Sequence, residues 1–440
     1  MSKWKQHLLK VGSVTLQLDQ APTVPSDIQN HRRKIEPWLS AILQSEHLSL
    51  LLGSGFTTAI STKAKVSPLS MSKVNFGCPL ENEVNEFAEK SAKACGRGVA
   101  NIEDQIRSAI SLINGLEILK DAKEAVWKRK LNEILLSFLH EILKIEKGIL
   151  NIINGTSEAG ADVKRLLISF LLSFASRAAT RERLHVFTSN YDRLIEFGCD
   201  LIGLRVVDRF VGALSPRFRS ARTEVDLHYN PPGIRGEPRY LEGVIKLTKL
   251  HGSIDWRYSN NEICKNPLSF GASADHSEVG DPYGSLIIYP NPAKDIETLE
   301  YPYAELFRDY ASALCRPNSV LLTYGYGFGD DHINRIIADM LTIPSTHLVI
   351  MSYDEAGGRI PFFCKKVGRE AQLSLLIGNH FGDLETLVQN YLPKPTIDQI
   401  SWRKADLLRK RGVDFVRDED IPAESPVAMP ETEEMADPST

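Results

Sequence analysis

Apolar runs of five to eight residues recur along the chain, and most of them stop abruptly at small or polar residues. Runs of this length, bounded by turn residues, are typical of strands that are buried in a sheet. The runs that predict strands lie at 11–18, 48–52, 184–188, 204–208, 243–250, 285–289, 319–324, 347–352 and 372–377.

Segments with helical spacing of apolar residues separate many of these runs, at 35–44, 193–198, 303–314 and 333–341. Strands that alternate with helices predict the α/β class, here a Rossmann-like parallel sheet. Polar stretches with many turn residues at 215–236 and 260–284 predict long loops. In the short segment 193–198, Asp192 is expected to cap the helix and Gly198 to end it.

Residues 81–179 show a different pattern, in which apolar residues repeat every three or four positions, as at Ile102, Ile106 and Ile110. This spacing predicts several amphipathic helices, and only 148–153 could be a strand. Asn101 and Glu103 open one of these helices and could either cap it or reach toward a ligand. The predicted organisation has four parts: an N-terminal segment at 1–45, a sheet domain at 46–80 and 180–392, a helical insertion at 81–179, and a basic helix with a disordered acidic tail at 393–440.

Polar residues cluster where four of the predicted strands end. These clusters are Gly53-Ser54-Gly55, Ser189-Asn190-Tyr191-Asp192, His251-Gly252 and the glycine-rich segment 325–331. Because the carboxyl ends of parallel strands collect at one edge of a sheet, these residues are expected to share a ligand site. Each cluster also has a purely structural interpretation, since Asn190 and Asp192 suit turns and caps, and a histidine at a strand end is often structural.

The residue types in these clusters suit a dinucleotide better than a peptide or a metal ion. Glycine turns before a helix bind phosphate, acidic residues bind ribose hydroxyls, and a neutral histidine accepts a proton near neutral pH. We therefore expect a dinucleotide at this edge, with the glycines near its pyrophosphate.

Composition excludes several other classes of protein. The 440 residues are 42% hydrophobic and 25% charged, and the net charge of −4 provides no general attraction for nucleic acid. Basic segments at 215–219 and 403–411 remain candidates for contacts with phosphate. The six cysteines are far apart and form no C-x-x-C pair, and the longest apolar stretch, 166–175, is too short to span a bilayer. We expect a cytoplasmic protein without a metal site or a membrane segment.

The four clusters, in this order, resemble the sirtuin family. Gly53-Ser54-Gly55 is similar to its G-A-G turn, Thr188–Asp192 to its T-Q-N-x-D block, and Leu250-His251-Gly252 to its catalytic L-H-G. The segment 325–335 is more narrowly similar to bacterial antiphage sirtuin-like proteins, particularly those paired with a HerA-family ATPase. Protein-deacylating sirtuins carry two C-x-x-C pairs for zinc after L-H-G, whereas residues 252–289 here contain only Cys264.

The resemblance implies an NAD+ glycohydrolase without zinc. Asn190 and His251 would be catalytic, with Asn190 positioning water or ribose and His251 acting as general base, while Asp192 would hold the carboxamide of nicotinamide. The implied NAD+-binding residues are Gly53, Ser54, Gly55, Phe56 and Thr57 at the pyrophosphate, Ser189, Tyr191 and Asp192 after the central strand, and Gly325, Gly327, Gly329 and Asp330 near the adenosine half.

The resemblance also implies an antiphage effector that is gated by assembly, as a homo-oligomer and with a HerA-family ATPase. The insertion or the N-terminal segment would supply the interface. The alternatives are an NAD-dependent protein deacylase and a DNA-acting or scaffolding subunit of the same complex.

Overall fold

A nine-stranded sheet forms the centre of the computed structural model, which describes residues 4–12, 14–22, 24–94, 98–178, 180–220, 228–229, 239–259, 262–273, 286–288 and 301–394. The strands of the described chain are β1 (His7–Val11), β2 (Val14–Leu18), β3 (His47–Leu52), β4 (His185–Thr188), β5 (Arg205–Val207), β6 (Phe210–Val211), β7 (Arg217–Phe218), β8 (His228–Tyr229), β9 (Arg239–Tyr240), β10 (Val244–Lys249), β11 (Gly252–Ser259), β12 (Glu262–Lys265), β13 (Leu286–Ile288), β14 (Ser319–Tyr324), β15 (His347–Ser352) and β16 (Leu373–Ile377).

Helices cover both faces of this sheet. They are α1 (Pro25–Leu43), α2 (Ser54–Lys63), α3 (Glu81–Ala94), α4 (Ile102–Leu119), α5 (Lys123–Asn154), α6 (Glu158–Ala175), α7 (Leu194–Ile202), α8 (Tyr303–Leu314), α9 (Asp331–Met340), α10 (Arg359–Val367), α11 (Asn379–Gly382) and α12 (Leu384–Thr386). A 3₁₀ turn, Glu370–Gln372, and a π-helical turn, Leu387–Tyr391, complete the helical elements of the described residues.

The strand order of the main sheet is β2-β1-β16-β15-β14-β3-β4-β10-β5. The strands from β16 to β5 are all parallel, which confirms the predicted Rossmann-like parallel sheet. β1 pairs antiparallel with both β16 and β2, so the predicted strand at 11–18 is in fact part of a hairpin. The chain turns at Gly12, whose φ of +57° is a conformation that glycine adopts without strain.

Burial on both faces explains why the strands are apolar throughout. In β3, Leu50 and Leu52 pack in one core with α1 and α6, whereas Leu51 packs in the other with α8, α9 and α10. A strand covered on both sides has no polar face to alternate with its apolar one.

The order of the strands places the candidate site. From β3 the chain continues to β4 on one side, and β14 later joins β3 on the other side. The carboxyl ends of β4, β3 and β14 therefore meet where the order reverses, which is where α/β proteins usually bind ligands.

Two glycines at which the sequence suggests that a helix or strand begins or ends lie inside helices. The segment 148–153 is the end of the continuous helix α5 and not a strand, because Ile145, Ile149 and Ile153 bury one helical face. A Cβ at Gly148 would lie 2.9 Å from the Val66 side chain, so this glycine permits close packing. A Cβ at Gly198 would similarly lie 2.5 Å from Leu171, and α7 continues to Ile202 before Gly203 ends it.

A second sheet, β13-β11-β12-β7-β6, is formed by strands that lie before and after β10 in the chain. Two of its strands lie within the segments 215–236 and 260–284 that the sequence predicts as loops. Trp256 packs against Phe210 and Phe218 there, with ring centroids 4.9 and 6.3 Å away. These strands are too short, at two and four residues, to give a period in the sequence.

Residues Met1–Pro393 form one compact unit. The predicted basic helix and acidic tail at 393–440 lie outside the described residues, apart from 393 and 394. No helix of the described chain is both long enough and apolar enough to cross a membrane.

Three buried histidines lie where β1 and α1 pack against α11, and they predict acid lability. His7 and His31 each lie 6.2 Å from His380 between ring centroids, and burial lowers the pKa of all three. The pKa of His380 falls to about 4, first through burial and then through its two histidine neighbours. As the pH falls, these histidines become protonated near pH 6.5 in the unfolded chain but only at lower pH in the folded protein. Their contribution to stability is therefore fully present above about pH 6.5 and is lost as the pH falls toward 4.

We therefore expect the urea midpoint of unfolding to fall between pH 6.5 and pH 4, and to fall less in a His380→Gln variant. The matched control is His140→Gln on the exposed face of α5, which should follow the wild-type pH dependence. If the urea midpoint of the His380→Gln variant fell as far as that of the wild type between pH 6.5 and pH 4, other groups would be the cause of the acid lability.

Candidate functional site

A cavity of about 390 Å³ opens at the carboxyl edge of the sheet, beside the start of α2. It contains both residues that the sequence singles out as catalytic, Asn190 and His251. The other predicted site residues that line it are Ser54, Thr57, Ser189, Tyr191, Asp192, Gly327, Gly329 and Asp330. Ser54 and Asp330, 276 positions apart along the chain, thus share one cavity because the parallel strands β3, β4, β10 and β14 end there.

A hydrogen-bonded network connects the first turn of α2 with the residues that follow β4. The Thr57 hydroxyl donates to Asp192 Oδ2 at 2.7 Å and accepts from Asn190 Nδ2 at 3.0 Å. Asn190 Nδ2 also donates to the carbonyl oxygen of Gly53 at 3.0 Å. Because a carbonyl can only accept, this contact fixes which atom of the Asn190 amide is nitrogen.

The orientation of Asn190 determines what it can offer a ligand. Both hydrogens of its amide nitrogen are directed at protein acceptors, so its carbonyl oxygen Oδ1 is the atom available to a water or hydroxyl group. The side chain is buried in the protein, and its backbone N–H binds Thr188 Oγ1 at 3.0 Å. Asn190 is therefore held in one position with an acceptor facing the cavity.

Asp192 combines the structural and the ligand-facing interpretations of the sequence. Its Oδ1 accepts the backbone N–H of Leu194 at 3.1 Å, which stabilises the turn into α7, while Arg193 occupies the N-cap position. Its Oδ2 binds Thr57, and the carboxylate lines the cavity. A carboxylate has about four lone-pair sites, so these contacts leave capacity for a ligand.

The structure resolves the two interpretations of Asn101 and Glu103. Asn101 does both: it caps α4, with its side chain accepting the Asp104 N–H at 3.0 Å in a capping box, and it also lines the cavity. Glu103 lines the cavity and accepts the Tyr191 hydroxyl at 3.0 Å. Burial and the neighbouring Glu103 raise the pKa of Tyr191 well above its usual range, so this hydroxyl stays protonated and donates.

Three glycines allow two loops to touch through their backbones. The N–H of Gly55 donates to the Gly325 carbonyl at 3.0 Å. A Cβ on Gly53 would lie 2.5 Å from the Gly325 oxygen, and a Cβ on Gly325 would lie 2.7 Å from the Gly55 backbone. Any side chain at these positions would force apart the strand ends that form the site.

This contact also limits which amides at the start of α2 can bind phosphate. The N–H groups of Gly55 and Phe56 are engaged by Gly325 and Gly53. The Phe56 ring is buried in the core, 5.0 Å from Phe170 between centroids. Of the predicted phosphate-binding segment 53–57, Ser54 and Thr57 line the 390 Å³ cavity, whereas Gly53 and Phe56 line neither this cavity nor the one beside it.

A second cavity of about 970 Å³ adjoins the first, and residues of α2 line both. The two share Ser54, Thr58, Tyr326, Gly327 and Arg359, so they could hold two halves of one extended ligand. Gly55 and Gly325 line the second cavity, whereas Asp330 lines only the first.

Sequence reasoning missed several residues of the second cavity, among them Ser352, Tyr353, Asp354 and Arg359. The first three lie at the carboxyl end of β15, which Ser352 ends, so the strand-end rule that identified the other clusters could have found them. Arg359 gave no such signal. It is close to the glycine-rich loop, where its Nε donates to the Gly327 carbonyl at 2.6 Å.

Three side chains at the base of the first cavity lie close together. His251 Nε2 is 3.1 Å from His332 Nε2, and ligand atoms of His251, His332 and Asp330 all lie within 4.8 Å of one another. This is the group among the described residues that could hold a metal ion, although the sequence predicted none.

Comparison with known proteins agrees with this geometry. No curated protein gives a significant match to the chain. Residues 184–370, which include Asn190, His251 and the glycine-rich loop, match the family model of the SIR2-like domain, and this match supports a sirtuin-like family and an NAD-related function for that part of the chain.

Proposed function

We propose that this protein is an NAD+ glycohydrolase that releases nicotinamide and ADP-ribose. The observation that carries the proposal is that Asn190 and His251 line one cavity at the switch point of a parallel sheet, within a segment that matches the SIR2-like domain. Coenzymes of this type usually bind at such switch points.

The charges of the two cavities suggest how NAD+ lies. Three carboxylates, of Glu103, Asp192 and Asp330, line the smaller cavity and favour the cationic nicotinamide ring. Arg359 lines both cavities, so its guanidinium would meet the pyrophosphate together with Ser54 at the start of α2. The adenosine half would occupy the larger cavity, where Asp354 could bind ribose hydroxyls. This orientation moves Asp330 from the adenosine half, where the sequence suggested it, to the nicotinamide half.

The reaction breaks the bond between nicotinamide and C1′ of ribose. The bonding electron pair leaves with nicotinamide, which becomes neutral, and an oxocarbenium-like centre remains at C1′. Asn190 Oδ1 would accept a hydrogen bond from the attacking water, whose oxygen forms the new bond to C1′. His251 would take the proton that the water releases, either directly or through a ribose hydroxyl.

Two alternative activities have weaker support. A protein deacylase of the sirtuin type would carry the zinc module that residues 252–289 lack. A DNA-acting role would need positive charge at the surface; Arg217 and Arg219 are about half exposed there, but Glu262 pairs with both and offsets part of their charge. The second basic segment, 403–411, lies outside the described residues. Formation of O-acyl-ADP-ribose from an acetylated peptide, or DNA binding that weakens with salt, would favour these alternatives.

The biological setting that we propose is a cytoplasmic antiphage effector whose activity is gated by assembly with itself and with a HerA-family ATPase. This part rests on the resemblance described above. It gains support from β2, which is one of the two edge strands of the main sheet among the described residues and exposes most of its side chains. An open edge offers unpaired backbone groups to another chain.

The decisive experiment measures nicotinamide release by the full chain, alone and with the ATPase, alongside light scattering for oligomer size. We expect turnover that increases in the assembled form. Absence of nicotinamide release from both forms would contradict the proposed function, and equal turnover by a monomer would contradict the gating.

Replacement of Asn190 by alanine should lower nicotinamide release by about 10²–10⁴-fold, a range typical of losing one positioned catalytic group. The control is Asn151→Ala, an exposed position near the end of α5, which should retain wild-type turnover. A folded Asn190→Ala variant with full activity would exclude a catalytic role for this amide.

A further inference from the structure

The catalytic candidate His251 is paired with a second histidine that the sequence did not single out. Their Nε2 atoms are 3.1 Å apart, and the ring centroids are 5.3 Å apart with planes inclined by 35°. Both side chains are buried, with 2% of His251 and 8% of His332 exposed. Whereas His251 lines the cavity, His332 is not part of the lining and lies behind it.

The directions of the two rings identify the contact as a hydrogen bond. The centroid separation is nearly the greatest that the nitrogen–nitrogen distance permits, so each nitrogen points along the line to the other ring. Two ligands of one metal ion would instead point to a common position beside that line. An N–H···N bond of this length is ordinary, and it requires one ring to donate and the other to accept.

We propose that His332 is a positioning residue for NAD+ hydrolysis, which holds His251 through Nε2 and fixes the position of its ring proton. This inference rests on the proposed function. Because Nε2 of His251 binds His332, the ring exchanges protons with a substrate through Nδ1. For Nδ1 of the neutral His251 ring to act as a base, the single ring hydrogen must be on Nε2. His251 therefore donates the hydrogen bond to His332, and His332 accepts it.

This arrangement stabilises the transition state more than the ground state. Before reaction, the bond joins two neutral rings. As Nδ1 takes up the proton, His251 becomes a cation and the same bond becomes charge-assisted, which makes it roughly twice as strong. Only an interaction that strengthens in this way raises kcat. A carboxylate oxygen of Asp330 lies within 4.8 Å of a ring nitrogen of each histidine, and its negative charge favours the positive charge further.

The position of His332 is well defined by its surroundings. It lies in the first turn of α9, and the ring of Phe307 on α8 packs against it edge-on, 5.1 Å away between centroids. The helix and the Phe307 ring together hold His332 in place. Its role resembles that of the aspartate in a Ser-His-Asp triad, which accepts the N–H of the catalytic histidine and orients its ring.

The test compares two substitutions in the full chain under the conditions that give wild-type turnover. His332→Phe keeps the bulk of the side chain but removes the acceptor, and we expect kcat to fall about 10–150-fold with KM changed less than about threefold. His332→Gln can place an amide oxygen near the former Nε2 and should recover most of this loss. If the role of His332 were merely structural, both substitutions would lower kcat equally, and both would also lower the urea midpoint of unfolding.

The outcomes separate this inference from the proposed function. If the wild type releases no nicotinamide, either alone or with the ATPase, the proposed function fails and the inference fails with it. If the wild type is active and His251→Ala is inactive, but His332→Phe is as fast as the wild type, only the inference fails. Stoichiometric zinc in the purified chain that both His332 variants lose would also overturn it, by showing a metal site in place of the pair.

Discussion

Replacement of His251 by alanine is expected to lower the rate of nicotinamide release by about 10²–10⁴-fold while the protein stays folded. The reason is that no other imidazole among the described residues lines the 390 Å³ cavity, since the neighbouring His332 lies behind His251 and outside the lining. The measurement is single-turnover nicotinamide release by the assembled protein, which separates the chemical step from substrate binding.

Two further variants make this result interpretable. His251→Ala leaves the buried His332 without its partner, so His251→Gln, which preserves much of the volume and a polar end, serves as the second inactive variant. His140→Ala, on the exposed side of α5, is the histidine control and should behave as the wild type. Full turnover by a folded His251→Gln protein would require a different base.

The second large effect concerns stability, at the buried ion pair between Glu146 on α5 and Arg193 after the site loop. Glu146 Oε1 accepts both the backbone N–H of Arg193 at 2.9 Å and its Nε at 3.2 Å. The Arg193 guanidinium also binds the carbonyl oxygens of Leu268 and Ser269. Only 1% of the Glu146 side chain and 7% of the Arg193 side chain are exposed.

Removing one partner of this ion pair should lower the stability strongly, because the charge of the other partner remains buried without compensation. We expect Arg193→Met to lower the free energy of unfolding by about 3–5 kcal/mol, measured by urea denaturation. Arg193 directly follows Asp192, so nicotinamide release should also fall. Replacing both partners, as Glu146→Leu with Arg193→Met, should recover much of the lost stability, because two apolar side chains leave no unpaired charge.

An exposed ion pair on the same helix supplies the control. Glu133 pairs with Lys130 at 2.9 Å, and 54% of its side chain is exposed. Its replacement by glutamine should change the free energy of unfolding by less than about 0.5 kcal/mol. A loss of similar size for Glu133→Gln and Arg193→Met would show that burial does not determine the cost.

The periodicity of the sequence predicted the parallel sheet because each strand is buried on both faces by helices. The same reasoning found the residues after β3, β4 and β10, and the structure brings them together in one cavity. It failed where glycine had a packing role, at Gly148 and Gly198, since a glycine that fits against a neighbouring side chain looks the same in a sequence as one that ends a helix.

The phosphate-binding loop is an intermediate case. The sequence correctly indicated a tight turn at Gly53 and Gly55, but it gave no sign that these glycines are required by the backbone of Gly325. That contact depends on β14 lying beside β3, although the two strands are about 270 positions apart in the chain. Strand order is set by crossover connections, which local patterns do not encode.

By itself, the sequence determined which residues stand at the ends of the strands, and therefore Asn190, Asp192 and His251 as candidates for chemistry. Only the tertiary structure decided that Glu103 of the helical region and Arg359 of α10 line the cavities and that His332 binds His251. The physical reason is that periodicity reports which face of an element is buried, whereas a site depends on which elements become neighbours. That choice is made by packing across the whole sheet.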